Sequence, residues 1–170
     1  GNICYDMTNA NYEAIEITRD GWKIMPHGHI LFRRFGHQIP QVQPVPGGDV
    51  WRLYEFVNIP ESDRLLDMVH LISCMVPGIP HPIPITIGEH GSTKTTACKM
   101  KKALIDPSDL DVIALQPNEE RMVQMMYHHW FVIFDNVTYL QQWQSDMLCR
   151  ACTGEGTVKR TLWTNQDDTI

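Results

Sequence analysis

The sequence predicts an α/β chain, helices layered on a parallel sheet in a three-layer core, preceded by a small β-rich N-terminal extension. Three observations predict it. From residue 60 onward, short apolar runs suited to strands alternate with segments of helical period. A glycine-bearing loop, residues 88–93, stands between one such run and a helix. A strongly apolar run, "WFVIFDN", ends in an acid at Asp135. Residues 1–57 follow a shorter, alternating pattern, so the chain divides into a β-rich region at 1–57 and the α/β core at 58–170.

In "YEAIEITRDGWKIM" apolar and polar residues alternate around Asp20-Gly21, a hairpin signal. "HILFRRFG" offers another strand, "QIPQVQPVPGGDV" is a proline-rich connection, and "VWRLYEFVNI" again reads as a strand. From Pro60 the period changes. Leu65, Val69, Ile72 and Val76 recur at helical spacing, Leu71 and Met75 widen the apolar face, and Pro77-Gly78 closes the helix. "IPITIG" is the next strand, with Pro84 discordant because it lacks a ladder donor. "KTTACKMKKALID" is a helix with Ala97, Met100 and Leu104 on one side, closed before Pro107. "DVIALQ" reads as a strand, "NEERMVQMMYHH" as a helix with Met122, Met125 and Met126 toward the core, and "WFVIFDN" as a buried strand. "SDMLCRACTG" is a short helix with Ser145 as N-cap, and "GEGTVKRTLWT" a turn into a strand.

Composition narrows the class. No apolar run approaches the ~18 residues of a membrane span, and the N-terminus carries no signal-peptide pattern. Five scattered cysteines do not make a disulfide framework, which points to a reducing, cytoplasmic setting. A net charge of -6 argues against a chain that coats nucleic acid over its whole surface, though not against a local basic loop. The absence of an initial methionine and a stop in mid-pattern suggest a fragment.

"GEHGSTKTT" fits the phosphate-loop pattern G-x-x-x-x-G-K-[ST] at every position but one. Gly88, Glu89, His90, Gly91, Ser92 and Thr93 would form the cradle, Lys94 would reach the β- and γ-phosphates, Thr95 would bind Mg²⁺, and Thr96 would complete the nucleotide-binding set. Thr93 occupies the place of the second glycine. A glycine needed there for positive φ is costly to replace with a β-branched residue; one present only for close packing is less so. Asp135 would hold Mg²⁺ through water, and Asn136 follows it where a water-polarising glutamate is common. Asparagine orients water but is a poor base, so hydrolysis is either slow or served by another acid such as Glu155. A plain glycine turn before a helix and a strand ending in Asp-Asn are the bland alternatives for each motif alone.

"GEHGSTKTT", "ALIDPS", "PNEERMV", "FDNVTYL", "WQSDMLCRACTGEG" and "KRTLWT" stand in the order seen in a family of ATP-binding proteins of phages, plasmids and integrated elements. That family often lies beside or is fused to primase modules and is similar to the AAA+ and superfamily 3 replicative helicases. The resemblance covers residues 50–170, and "SDMLCR" is its most specific piece, since phosphate-loop chemistry does not require it. It implies a P-loop NTPase core, incomplete at the C-terminus, that binds ATP with Mg²⁺ through Lys94, Thr95 and Asp135. It also implies a ring-shaped homo-oligomer driving movement on single-stranded DNA, with no membrane partner.

Other residues invite chemistry less strongly. Arg150 could reach a neighbouring subunit's phosphate or pair with Asp146 at i, i+4. Lys159 and Arg160 form either a DNA-gripping loop or a solvated strand. Cys149 and Cys152 lack a second pair at zinc spacing, and neither His27 with His29 nor His128 with His129 has the spacing that aims two helical ligands at one metal. Two further readings share the motifs: a regulatory nucleotide-binding ATPase without translocation, and a non-catalytic interaction module with a degenerate loop.

Overall fold

A computed structural model of the chain describes residues 1–26, 30–89 and 91–154, with the backbone of two short strands at 158–160 and 167–169. The expected hairpin is present as β2 (Ala14–Thr18) and β3 (Gly21–Met25), antiparallel with Thr18 opposite Gly21. β1 (Ile3–Asp6) adds to the outer side of β2 to complete a three-stranded sheet. This sheet is tied to the rest of the chain. Tyr5 Oη donates to the Ile105 carbonyl at 3.0 Å, and Gln41 Nε2 donates to Tyr5 Oη at 3.0 Å.

Three expected strands are absent among the described residues. Residues 30–36 make no ladder; instead Arg34 clasps Asp6 through Nε at 2.8 Å and a terminal nitrogen at 2.7 Å, so side chains fix the segment. "VWRLYE" forms a 3₁₀-helix at Val50–Glu55, capped by Asp49, whose carboxylate accepts from Trp51 N–H at 2.9 Å. Tyr54 within that helix and Val57 just beyond it both reach the core.

α1 (Glu61–Ser73) forms as expected, but its buried face is the other apolar stripe. Met68, Leu71 and Cys74 enter the core with Tyr54, Val57 and Ile105, whereas Leu65, Val69 and Ile72 are exposed. Tyr54 Oη, donating to Arg64 O at 2.8 Å and contacting Asp67 at 3.0 Å, pins the rotation of the helix. The strand expected at "IPITIG" does not form: Pro80, Pro82 and Pro84 remove three backbone donors in five residues, and Ile85 and Ile87 stand exposed.

α2 (Lys94–Ile105) packs Ala97 and Met100 on the first core, while Leu104 is exposed and Lys102 and Ile105 are buried. β4 (Ile113–Ala114), α3 (Glu119–His128) and β5 (Phe134–Asp135) make the expected strand–helix–strand unit, with β4 parallel to β5 and Ile113 beside Phe134. Asn118 caps α3 by accepting from Arg121 N–H at 3.0 Å. α4 (Gln142–Thr153) starts three residues before the expected cap: Gln141 and Gln144 form a reciprocal capping box, so Ser145 lies inside the helix. Met122, Val123 and Met147 make a second core with Phe134 and Met126 against it, while Phe131 packs on the first. The segment leading to Asp135 is thus shared by both cores. β6 (Val158–Arg160) and β7 (Asp167–Thr169) pair antiparallel.

Candidate functional site

The loop before α2 is built around its lysine. Lys94 Nζ donates to Gly88 O at 2.7 Å, to Glu89 O at 2.5 Å and to Ser92 Oγ at 3.0 Å, which engages all three ammonium donors within the loop. Ser92 Oγ in turn donates to Glu89 O at 2.8 Å. Gly88 is needed for space, since a Cβ there would lie 2.9 Å from Ser92 Oγ. Gly91 is needed for conformation, at φ +81. His90 lies outside the described residues.

Thr93 answers the question its substitution raised. It sits at φ 60, ψ 15, in the left-handed region, where a β-branched side chain is strained by about 1–2 kcal/mol. A hydrogen bond from its hydroxyl to Ser92 O at 2.7 Å offsets part of this. Thr93→Gly relieves the strain and adds chain entropy to the unfolded state, for a net gain of roughly 0.5–1 kcal/mol, or about 2 °C in melting temperature. A melt of the variant at or below the parent's temperature would contradict this account of the loop.

At the other end of the site, Thr95 Oγ1 lies 3.2 Å and 3.4 Å from the two carboxylate oxygens of Asp135, a residue 40 positions away. Both side chains are half-buried, while Asn136 and Thr96 are exposed. Asn136 turns back at φ 54 and donates its backbone N–H to Asp135 Oδ1 at 2.9 Å. The fold therefore brings Thr95 to Asp135, while the Lys94 side chain is turned into its own loop. Cis oxygens on an octahedral magnesium ion with bonds of 2.0–2.1 Å are about 2.9 Å apart, so the Thr95–Asp135 oxygen pair fits a hard divalent cation with little adjustment.

What holds these two residues in register was not foreseen from the sequence. Lys102 Nζ, buried in the last turn of α2, donates to Asp106 Oδ2 at 2.9 Å and to Phe131 O at 2.6 Å. Asp106 Oδ2 also accepts from Phe131 N–H at 3.0 Å. This clip fixes the helix that starts at Lys94 and Thr95 to the segment that ends at Asp135. The i, i+4 spacing of Lys102 and Asp106 was its one visible signal.

A cavity of about 470 Å³ opens beyond β4 and β5, lined by residues 112–115 and 135–139. Asp135 and Asn136 border it; the loop of residues 88–95 does not. Arg150 pairs with Glu119 of α3 at 3.3 Å and not with Asp146, which accepts from Gln142 at 2.9 Å. Cys149 is exposed and Cys152 half-buried, both free thiols. Among the described residues no group of three or more His, Cys, Asp or Glu is placed to hold a metal ion, and no helix is long and apolar enough to cross a membrane. Glu155 and the side chains of Lys159 and Arg160 lie outside the described residues, as do His27 and His29.

Residues 49–170, which include the whole loop, the Asp135 strand and the "SDMLCR" helix, match the sequence model of a family described as the actinomycete integrative conjugative element replication protein. The chain belongs to that family. It is accordingly a replication protein of mobile elements. No curated protein and no solved structure matches the chain significantly. The part of this replication protein that precedes residue 49 carries the three-stranded sheet.

Proposed function

We propose that this replication protein binds ATP with Mg²⁺ through a P-loop formed by residues 88–95, within an AAA+-like core, and hydrolyses it to drive movement on DNA. The observation that carries the reading is the approach of Thr95 Oγ1 to the Asp135 carboxylate, 40 residues away, at the start of a helix whose preceding loop encloses Lys94. A loop of backbone groups, a helix N-terminus and a lysine suit a polyphosphate. Bound Mg²⁺ would supply charge neutralisation between the phosphate oxygens. The chain's own residues do the rest: Lys94 exchanges its loop acceptors for phosphate oxygens, Thr95 and Asp135 offer oxygen ligands, and Asn136 orients rather than deprotonates a water. Movement along a strand asks for several subunits, hence a ring oligomer around single-stranded DNA.

The test is equilibrium binding of a fluorescent ATP analogue with and without Mg²⁺. Magnesium is expected to tighten binding in the parent, and Asp135→Asn and Thr95→Ala each to weaken the magnesium-dependent part about tenfold, equivalent to about 1.4 kcal/mol. Equal affinities in parent and variants would remove the metal assignment. Asn136 and the strained Thr93 favour a second reading, a nucleotide-bound regulatory state with slow turnover. Single-stranded DNA accelerates hydrolysis under the first reading and leaves it unchanged under the second.

A further inference from the structure

The largest aromatic assembly in the described part of the molecule lies away from the loop of residues 88–95. A cavity of about 610 Å³ opens between β1, the segment around Phe35, and the end of α3, with Phe32, Phe35, Tyr127 and Trp130 among its walls. That volume falls within the ~300–1,000 Å³ of small-ligand sites and holds a base with its sugar. Phe35 and His128 rings lie 4.6 Å apart, and Phe35 meets Tyr127 edge-on at 5.9 Å. Arg33 spans the wall, its guanidinium carbon 5.3 Å from the Phe35 centroid and 4.9 Å from the Tyr127 centroid, and hydrogen-bonds Tyr127 Oη.

Charge singles out the occupant. The two acids lining the cavity are both neutralised, Asp6 by the two-pronged grip of Arg34 and Asp106 by Lys102. Arg33 is exposed and has no carboxylate partner among the described residues. The wall therefore carries a local positive charge on a chain whose net charge is -6. Gln38, also on the wall, uses its side-chain oxygen to accept from Phe35 N–H at 2.8 Å, which leaves its amide –NH₂ without a partner among the described residues and available to a base-edge acceptor. The matching ligand has a flat aromatic ring with polar edges and a neighbouring anion.

We propose that this cavity takes one unstacked base of single-stranded DNA, with the adjoining phosphate on Arg33 and the base edge on Gln38. The choice of a DNA strand over a free nucleotide rests on the replication reading of the family; it does not rest on the ATP site. A cavity with aromatic walls admits a splayed base more readily than a paired one.

The experiment is fluorescence anisotropy of a labelled dT12 strand with the full chain at low salt, without ATP or Mg²⁺. Saturable binding is expected, weakened fivefold or more by Arg33→Ala and by Tyr127→Leu, and partly restored in Arg33→Lys. A duplex of equal length should not compete, and dTMP should compete far more weakly than dT12. Absence of binding, or equal affinity in the parent and in folded Arg33→Ala, overturns the site. Competition by dTMP as strong as by dT12 overturns the strand and leaves a free-nucleotide pocket. The assay contains no nucleotide, so a failed ATP site leaves its outcome unchanged, and a failed DNA site leaves nucleotide binding unchanged.

Discussion

Lys102→Ala is expected to destabilise the protein by about 3–5 kcal/mol, the range for removing one member of a buried ion pair. Lys102 is 1 % exposed and Asp106 5 %, so the carboxylate left behind could recruit little water. The effect reaches further than stability. Without the ammonium, Phe131 O loses a donor, and α2 keeps only the Asp106 bond to Phe131 N–H as its polar tie to the segment that carries Asp135. A double variant, Lys102→Met with Asp106→Asn, keeps the stem volume and an acceptor for Phe131 N–H, and should recover most of the loss. Urea unfolding of the three proteins checks this. A loss under 1 kcal/mol for Lys102→Ala would show that the pair does not clamp the two halves of the site.

The second large effect is a loss of stability in mild acid. His129 is buried, and burial, reinforced by neighbouring His37 and Lys102, pushes its pKa down to about 4. Its ring lies tilted against that of His37, centroids 4.0 Å apart, and its Nδ1 has no partner among the described residues. In the unfolded chain the same imidazole titrates near 6.5. Protons therefore bind the unfolded state first. The stabilisation from keeping His129 neutral is complete above pH 6.5 and disappears as the pH falls toward 4, by on the order of 2 kcal/mol. Burial lowers the pKa of His70 as well, adding to the same slope. His129→Asn should flatten most of the dependence of melting temperature between pH 6.5 and 4.5. A parent whose melting temperature is level across that window would contradict the burial of a neutral imidazole.

Several individual elements were legible because their signals are local. The start of α2 at Lys94, the hairpin around Asp20-Gly21, and the pairing of the "DVIALQ" and "WFVIFDN" runs on either side of a helix follow from period and turn chemistry. Some of the errors have nonlocal causes, and others lie in neighbouring residues. Two apolar stripes run along α1, and periodicity cannot say which one Tyr54 will pin. "VWRLYE" suits a strand by composition, but Asp49 caps it as a helix. "IPITIG" is apolar enough for a strand, yet the prolines beside and within it leave too few donors for a ladder. Within the site, the motif named Lys94, Thr95 and Asp135 but could not give the conformation of Thr93. The Lys102 clip was hidden for a related reason: a lysine in "KMKKALID" reads as solvated until its neighbours are known. Arg33 was hidden in a segment misread as a strand.

The central claim, that residues 88–95 form a working nucleotide site, is tested most directly by thermal unfolding with and without Mg²⁺-ATP, for the parent chain and for Lys94→Ala. Ligand at about 100 times its dissociation constant stabilises by about 2.7 kcal/mol, a rise of roughly 5–10 °C at this chain length. The account predicts that rise in the parent and none in Lys94→Ala. No rise in the parent, or an equal rise in both proteins, would contradict it.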